Sequence, residues 1–448
     1  MSRAVVWFRS DLRLDDNPAW AAATSGHERV TPLFVVDRPL WEAAGRLRRA
    51  QLAAHLRSLD ERLQRRGGRL RVEHGSPGDV VPTVARGADV VYWNADVTPY
   101  AVRRDERVAA DVDASIHQGR YVHPPGSVTT SAGSTYLVFT PFFRAWSDRS
   151  REPWPTAGDA DVTSTVGGGV PDEGPAPMEP GEEAALGRLH VFLGRVDDYH
   201  EVRDRPDLDA TSRLSADLKF GVLSPRQVVD AVRSASDGPA EFVRQVAWRE
   251  FHAHLMAAMP RLVAEPMRPE YAALAWRDDP VGLAAWQEGR TGYPLVDAGM
   301  RQLREEGWMH NRVRMITASF LVKDLLIDWR LGERHFRRLL TDADLPQNVG
   351  NWQWVAGTGA DAAPYFRVFN PVTQSRRFDP DGVYIRRWVP ELGGLESPGV
   401  HAPWEAASLD LAMAGVVLGD TYPNPIVDHA EARVAAIAAY EEARASSR

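Results

Sequence analysis

The chain has 448 residues, of which 44% are hydrophobic, and a formal net charge of −8 at pH 7. This length allows two or three domains with large cores, and the absence of cysteine excludes disulfides, thiolate zinc sites and cysteine nucleophiles. No apolar run approaches membrane-spanning length and the N-terminus lacks a secretion signal, so we expect a cytoplasmic protein, and we predict no metal site.

The first part of the chain alternates short apolar runs with helical patterns. Asn17 and Pro18 provide a helix N-cap and a first-turn proline, and Ser76 and Pro77 repeat that signal. The predicted strands are Ala4–Phe8, Val30–Val36, Leu70–Glu73 and Val90–Trp93, with a helix over Arg46–Gln64. This alternation predicts an α/β fold over residues 1–130, a doubly wound parallel sheet covered by helices. A Rossmann glycine motif is missing after the first strand, although the open end of such a sheet can hold a planar ligand.

The composition changes after this region. Residues 131–183 are predicted to connect two domains, because Pro155 to Glu183 is dense in glycine, proline, hydroxyl and acidic residues, as a linker is. Residues 184–448 are predicted to form a mainly α-helical domain. Its amphipathic patterns are Ala184–Tyr199, Pro225–Ser234, Pro239–Met259, Tyr293–Glu305, Arg312–Asp328 and Glu431–Ala445.

Positive charge is concentrated locally despite the acidic total. Seven basic residues against three acidic ones lie between Asn311 and Arg338, and five arginines against two aspartates lie between Tyr365 and Trp388. Solvated helix faces would explain either stretch. Because aromatic residues are interleaved with both, phosphate binding combined with base stacking is the alternative.

The stretch from Thr341 to Asn370 is the strongest candidate for a functional site. It reads TDADLPQNVGNWQWVAGTGADAAPYFRVFN and crowds two carboxylates, an amide and several aromatic residues together. An aspartate-capped helix with two core tryptophans would explain part of it. The segment AGTGAD is expected to end that helix.

This stretch resembles the photolyase/cryptochrome family, specifically the class I cyclobutane pyrimidine dimer (CPD) photolyases. Four further blocks carry the resemblance in the family's order: WFRSDLRLDDNPAW, TSRLSADLKFGVLSPRQ, AWREFHAHL and TGYPLVDAGMRQLREEGWMHNRVRMITASFLVKDLLIDWR. The resemblance implies an antenna-binding α/β domain joined by a long linker to a helical domain that binds FAD and the DNA lesion. It also implies a deoxyribodipyrimidine photo-lyase, a monomer that binds UV-damaged DNA and whose reduced FAD (FADH⁻) donates an electron to the dimer under light.

The same resemblance assigns the FAD site. Hydroxyl groups at a helix start suit the pyrophosphate, Asp342 is expected to pair with Arg314, and Asn348 is expected opposite flavin N5. An amide there can form a hydrogen bond but cannot readily donate a proton. The predicted FAD-binding residues are Tyr199, Thr211, Ser212, Arg213, Leu214, Ser215, Phe242, Arg314, Asp342, Asp344 and Asn348.

An electron path and a lesion site also follow from the resemblance. Trp276, Trp329 and Trp352 match the family's electron path, in order from the surface to the flavin. Trp248 and Trp354 resemble two aromatic walls that hold a dimer extruded from the base stack. The other predicted lesion and DNA contacts are Asn311 and Met315 at the dimer and Arg249, Arg312 and Arg367 at phosphates.

One residue departs from the pattern of dimer-repairing members, which usually have glutamate at the position of Gln245. Glutamine there is similar to 6-4 photolyases and animal cryptochromes, but the block WMHNRVRM keeps the CPD pattern. The alternatives are therefore a cryptochrome-like blue-light photoreceptor and, less favoured, a 6-4 photolyase. The usual long C-terminal extension of cryptochromes is not expected here.

A second, light-harvesting chromophore is often carried by the α/β domain in this family. Arg48 and Asp96, the latter within YWNADVTPY, resemble the deazaflavin-type pattern more than the folate type. A surface helix residue and a turn residue are the structural alternatives for these two positions.

Overall fold

A computed structural model describes residues 1–151, 153, 156–165, 167–232, 237–361, 364 and 367–446, with Asp237 described by its backbone only. The predicted helix end at Ser234 and the aromatic residue Tyr365 lie outside the described residues. The chain divides into two compact units. Unit 1 comprises Met1–His200, Ser212–Pro260 and Thr341–Pro346, and unit 2 comprises Glu201–Thr211, Arg261–Leu340 and Gln347–Arg448.

Unit 1 is built on a parallel sheet whose strands run in the order β3-β2-β1-β4-β5. A sixth strand pairs with the beginning of β2, where Val30 is in register with Val162. The strands are β1 (Arg3–Phe8), β2 (Arg29–Val36), β3 (Arg71–His74), β4 (Val90–Asn94), β5 (Ala114–His117) and β6 (Asp161–Val162). The predicted doubly wound sheet is therefore confirmed.

The core of this sheet forms because its strands are apolar on both faces, as parallel strands between helices must be. Trp7 of β1 and Trp93 of β4 are both buried, and their rings meet edge to face with centroids 5.8 Å apart. Asn17 caps the first helix as predicted, since its side chain accepts a hydrogen bond from the backbone N–H of Trp20 at 3.2 Å.

The other regular elements of the described residues are mostly α-helices. The first ten are α1 (Pro18–Gly26), α2 (Arg38–Ala43), α3 (Arg46–Gln64), α4 (Pro77–Val84), α5 (Pro99–Ala109), α6 (Phe139–Asp148), α7 (Glu182–Leu193), α8 (Tyr199–Val202), α9 (Ser215–Phe220) and α10 (Pro225–Ala231). The second ten are α11 (Asp237–Ala258), α12 (Pro280–Glu288), α13 (Pro294–Glu306), α14 (Asn311–Ser319), α15 (Trp329–Leu339), α16 (Leu345–Ala356), α17 (Pro371–Phe378), α18 (Val383–Trp388), α19 (Ser408–Met413) and α20 (His429–Ser446). The described ranges contain no helix with both the length and the apolar character that crossing a membrane requires.

The segment predicted as a linker takes part in the sheet. Residues Asp161 and Val162 form β6, and the N–H of Arg69 donates to the carbonyl of Thr163 at 2.9 Å. The close approach of Val162 to Gly68, where an added Cβ would lie 2.3 Å from a Val162 methyl carbon, ties this segment to the sheet. The boundaries of the two units therefore differ from the predicted boundaries at residues 130 and 183.

The helix predicted over Arg312–Asp328 is not continuous, which corrects that prediction. Helix α14 ends at Ser319, a π-helix follows over Phe320–Asp324, and Leu326 has a left-handed φ of 53°. A new helix, α15, then starts at Trp329 behind Asp328, whose carboxylate accepts from the N–H of Arg330 at 2.9 Å. The sequence pattern did not indicate this break, because the apolar residues are buried both in a continuous helix and in the interrupted one.

Candidate functional site

The hydroxyl-rich segment before α9 has the local structure expected of an anion site. Arg213 has a left-handed φ of 52°, and the Ser212 hydroxyl accepts from the N–H of Leu214 at 3.4 Å. Helix α9 begins at Ser215, so its first N–H groups have no partner within the helix itself. Phosphate oxygens suit such N–H groups.

Two predicted FAD contacts that are distant in sequence meet in unit 1. The rings of Tyr199 and Phe242 lie edge to face with centroids 5.3 Å apart, and Phe192 packs on both. The three side chains are buried. Sequence reasoning singled out Tyr199 and Phe242 but missed Phe192, which gave no signal beyond an apolar helix position.

Asp344 precedes α16 and is 8% exposed. The Nη2 atom of Arg120 lies 3.3 Å from its Oδ2 atom. Its Oδ1 atom and the hydroxyl of Tyr121, both buried in unit 1, have no hydrogen-bond partner among the described residues. Burial raises the pKa of Tyr121, which keeps the hydroxyl protonated as a donor. Buried polar atoms are normally satisfied, so these two atoms fit a polar ligand such as the flavin.

Asn348 is held in one orientation by Glu333 in unit 2. Its Nδ2 atom donates to the backbone carbonyl of Glu333 and to Glu333 Oε1, both at 2.9 Å. Both protons of the amide nitrogen are therefore used, which leaves Oδ1 to act as an acceptor. The geometry fits an amide that accepts from a flavin and does not protonate it.

The three predicted electron-path tryptophans lie in unit 2, and the two inner ones are buried, whereas the outermost one is not. Trp276 is half-buried, whereas Trp329 is 1% and Trp352 is 2% exposed. The N–H of Arg277 donates to the carbonyl of Leu326 at 2.8 Å, which fixes the Trp276 loop to the segment that leads into α15.

Trp352 packs directly on α15, the helix that begins with Trp329. A Cβ at Gly332 would lie 2.2 Å from Trp352 Cη2, so only glycine allows this approach. Trp286, a further buried tryptophan, has its ring centroid 6.1 Å from that of Trp352. Sequence reasoning did not single out Trp286, because nothing in its local pattern distinguishes it from core packing.

Gln245 and Trp248 lie three positions apart on α11 in unit 1, so they share one face of the helix. Phe139 stacks on Trp248 with centroids 3.8 Å apart and planes 8° apart, which covers one face of the indole. The Nε2 atom of Gln245 donates to Glu241 Oε1 at 2.9 Å.

Arg249 is placed differently from the exposed phosphate contact that the sequence suggested. Its side chain is buried, and its guanidinium donates to the carbonyls of Arg120 at 2.8 Å and Leu218 at 3.3 Å. This position gives no support to phosphate binding and indicates a structural role.

The remaining predicted DNA contacts lie in unit 2. Asn311 is exposed at the start of α14 and its Nδ2 atom lies 3.8 Å from the sulfur of Met315. Arg312 forms an ion pair with Asp204 at 2.5 Å and lies over the Phe378 ring. Arg367 is exposed and Trp354 is half-buried.

Two of the predicted FAD contacts also lie in unit 2. Thr211 is half-buried, and Arg314 donates to the carbonyl of Met309 at 2.8 Å.

The carboxyl ends of β1 and β4 form the point where strand order reverses, which is where open α/β sheets bind ligands. Asp96 follows β4 and forms an ion pair with Arg120, and its Oδ1 atom accepts from the N–H of Thr98 at 2.9 Å. Burial opposes ionisation of Asp96, but the charges of Arg120 and Arg9 prevail and hold its pKa below the usual range.

Lys219 joins Arg48 and Asp96 in this neighbourhood. The pKa of Lys219 is lowered to about 8, mainly by burial of its ammonium and also by the charges of Arg48 and Arg120, while Asp344 and Asp96 oppose the shift. Sequence reasoning missed Lys219 and Arg120. The chain does offer a signal for Lys219, because only two lysines occur among its 53 basic residues.

Comparison with known proteins adds independent information. Residues 4–159 match the family described as DNA photolyase, and residues 242–442 match the FAD binding domain of DNA photolyase. Proteins named deoxyribodipyrimidine photo-lyase are similar over nearly their whole length. That of Streptomyces griseus is 44% identical and that of Escherichia coli 42% identical, each over 99% of both chains.

Solved structures agree with these matches. A bacterial class III photolyase from Agrobacterium tumefaciens superimposes with a TM-score of 0.92 at 40% identity, covering 99% of this chain and 98% of that one. A cryptochrome from Synechocystis gives a TM-score of 0.89 at 30% identity, covering 98% and 99%. An archaeal photolyase from Sulfolobus tokodaii with two FAD molecules gives 0.85 at 33% identity, covering 98% and 100%. The chain therefore belongs to the photolyase/cryptochrome family.

Proposed function

We propose that this chain is a class I CPD photolyase whose site residues are those predicted from the sequence, except that Arg249 has a structural role. Its activity is light-dependent repair of pyrimidine dimers in DNA, it is a deoxyribodipyrimidine photo-lyase, and its cofactor is FAD. When bound in the reduced form, FAD supplies an electron on excitation and recovers it after the dimer splits, without net redox change. The observation that carries the proposal is the Asn348 amide, held by Glu333 so that its oxygen is the free acceptor.

The protein's own contribution is position and polarity. Asn348 offers an acceptor and Asp344 a carboxylate oxygen, while the α9 N-terminus offers N–H groups to phosphate. Trp248 and Trp354 each offer an aromatic surface on which an extruded base can stack, worth ~1 to 3 kcal/mol per base. Because Phe139 covers one face of Trp248, a base has only the other face to use.

Gln245→Glu should change the quantum yield of CPD repair by only about threefold. The native amide can support negative charge on the dimer carbonyls without repulsion. The new carboxylate would lie beside Glu241, the present partner of Gln245, and would repel it. The measurement is repair per absorbed photon by both forms under identical illumination.

Glu241→Gln in the Gln245→Glu background is the matched control, because it removes the repulsion and keeps the new carboxylate. We expect it to restore native yield in part. A loss of CPD repair in Gln245→Glu, or a gain of 6-4 photoproduct repair, would contradict the proposed role of Gln245.

Arg367→Ala should weaken DNA binding and lower the slope of log affinity against log salt by about one, since the exposed guanidinium is free to neutralise a phosphate. Arg312→Ala should have a smaller effect, because Asp204 already neutralises that guanidinium. Titrations at several salt concentrations measure both slopes.

Arg65→Ala is the control for these titrations, because Arg65 is exposed, pairs with Glu183 and lies outside the predicted DNA contacts. Its slope should equal that of the native protein. If Arg367→Ala keeps the native slope but loses preference for damaged DNA, Arg367 reads the lesion and not the backbone.

For the second chromophore we propose a deazaflavin-type ring at the carboxyl end of the sheet, beside Arg48, Asp96 and Lys219. Asp96 follows β4 at the strand-order reversal, and Lys219 lies within electrostatic reach of both Asp96 and Arg48, which supports it. The two FAD molecules in the S. tokodaii structure make a second flavin the alternative, and folate is the other. Mass spectrometry of chromophores released from purified protein distinguishes the three.

The second candidate function is a blue-light photoreceptor, favoured by the likeness to the Synechocystis cryptochrome. Repair of dimers in light separates the two functions.

The class I assignment rests on Asn311, Met315 and the sequence blocks around them. The alternative is a class III photolyase, the class of the similar structure from A. tumefaciens. The monomeric state and the cytoplasmic location stay predictions.

A further inference from the structure

Arg120 connects two parts of unit 1 that the proposed function assigns to different ligands. Its Nη1 atom forms an ion pair with Asp96, at the end of the sheet, and its Nη2 atom lies 3.3 Å from Oδ2 of Asp344, before α16. All three side chains are largely buried. One guanidinium therefore holds one carboxylate from each candidate site.

The backbone around Arg120 is fixed independently of this pair. The carbonyl of Gly119 accepts from Arg13 Nη2 at 2.7 Å, and that of Arg120 accepts from Arg249 Nη1 at 2.8 Å. Glu250 accepts from the N–H groups of Val122 and His123. The guanidinium thus projects from a rigid segment, and only its side-chain torsions can respond to a change at either carboxylate.

We propose that Arg120 is a positioning residue that couples the site at the sheet end to the flavin, so that a change at Asp96 alters FAD binding through Asp344. The inference rests on the proposed function, because it takes Asp344 as a flavin contact. With Oδ2 of Asp344 held by Arg120, Oδ1 is the oxygen left for the cofactor. If Arg120 moves, Asp344 loses both its partner and its orientation.

Thermodynamic linkage makes this coupling reciprocal. If a ligand bound beside Asp96 weakens the ion pair between Asp96 and Arg120 and thereby changes the affinity for FAD, then bound FAD changes the affinity for that ligand by the same factor. The planar guanidinium suits this role, since it presents separate nitrogens to two carboxylates. A lysine ammonium at the same place keeps the charge but not the two fixed directions.

The test is a double-mutant cycle read by FAD binding and not by repair. The FAD dissociation constant and the absorption spectrum of bound oxidised flavin are measured for native protein, Asp96→Asn, Arg120→Gln and the double variant. Arg120→Lys tests rescue. Arg49→Gln is the control, because Arg49 makes a partly buried ion pair with Glu173 in the same unit but contacts neither Asp96 nor Asp344. Circular dichroism reports folding of each variant.

We expect Arg120→Gln to weaken FAD binding about tenfold or more and Asp96→Asn to weaken it about fivefold. In the Arg120→Gln background, Asp96→Asn should have no further effect, because the connection is already broken. Arg120→Lys should recover part of the affinity, and Arg49→Gln should match native protein.

Equal FAD affinity and spectrum in native protein and Asp96→Asn would overturn the coupling, as would additive effects in the cycle. Should Arg120→Gln fail to fold, Asp96→Asn and Arg120→Lys still decide the matter, since both must shift FAD binding. Native protein that binds no FAD at all would contradict the proposed function, whereas FAD binding that ignores Asp96 contradicts only the coupling.

Discussion

Replacing Trp352 by phenylalanine is expected to slow light-driven reduction of bound oxidised FAD about 100-fold, equivalent to ~2.7 kcal/mol in barrier. Trp352 is the innermost member of the predicted path, buried against Gly332 of the helix that begins with Trp329. Phenylalanine fills most of the space but is far harder to oxidise than an indole. Repair by protein whose flavin was reduced chemically beforehand should change by less than about twofold.

Trp286→Phe is the matched control, because Trp286 is equally buried and its ring lies 6.1 Å from that of Trp352, yet it is outside the predicted path. Photoreduction should stay close to native in this variant. Slow photoreduction in Trp286→Phe with native rates in Trp352→Phe would mean that electrons pass through Trp286, and the assigned path would be wrong.

Asp297→Ala is expected to lower the free energy of unfolding by about 4 kcal/mol. The carboxylate of Asp297, fully buried at the start of α13, accepts four hydrogen bonds. They come from the N–H and hydroxyl of Thr291, at 2.7 Å each, from the N–H of Gly292 at 3.1 Å and from the hydroxyl of Tyr422 at 2.7 Å. Alanine leaves all four donors buried without a partner. Urea unfolding followed by circular dichroism measures the loss.

Asp172→Ala is the control, because its side chain is almost fully exposed and a surface change of this kind stays within ~0.5 kcal/mol. Asp297→Asn should fall between the two, since the amide keeps one acceptor oxygen and loses the other. If Asp297→Ala unfolds at the same urea concentration as the native protein, the four hydrogen bonds do not stabilise the fold.

The α/β region was predictable because its signals are local. Strands such as Val90–Trp93 are short apolar runs, helix starts carry Asn17 or Pro77, and the amphipathic pattern of Arg46–Gln64 matches α3 at both ends. Strand β6 could not be found this way. Its two residues have no strand pattern of their own and are extended only because β2 provides a partner.

The helical region shows the same limit. The break between α14 and α15 follows from burial of consecutive residues including Lys323 and Asp324, and Asp324 pairs with His429 from more than 100 positions away. A periodic apolar pattern contains no information about such a partner. The TGYPLVDAGM block was recognised by resemblance alone, and the Asp297 hydrogen bonds give its physical reason.

The candidate site was assigned mostly by resemblance, since spacing alone does not bring Tyr199 to Phe242 or make Glu333 orient Asn348. Sequence reasoning also could not see that Arg249 is buried against carbonyl groups, because an arginine in a helix looks the same whether it faces solvent or the interior. Arg120 was missed because the residues it contacts are distant in sequence. Its partners Asp96 and Asp344 lie 24 and 224 positions away.

The most direct test of the central claim is repair itself. Purified protein with chemically reduced FAD is mixed with an oligonucleotide that contains one cyclobutane dimer, and with a second that contains one 6-4 photoproduct, under blue light and in darkness. Chromatography quantifies the restored pyrimidines. We expect the cyclobutane dimer to be converted to monomers in the light only, and the 6-4 photoproduct to persist under both conditions. Protein that holds reduced FAD but leaves the cyclobutane dimer intact in the light would contradict the account and favour a photoreceptor.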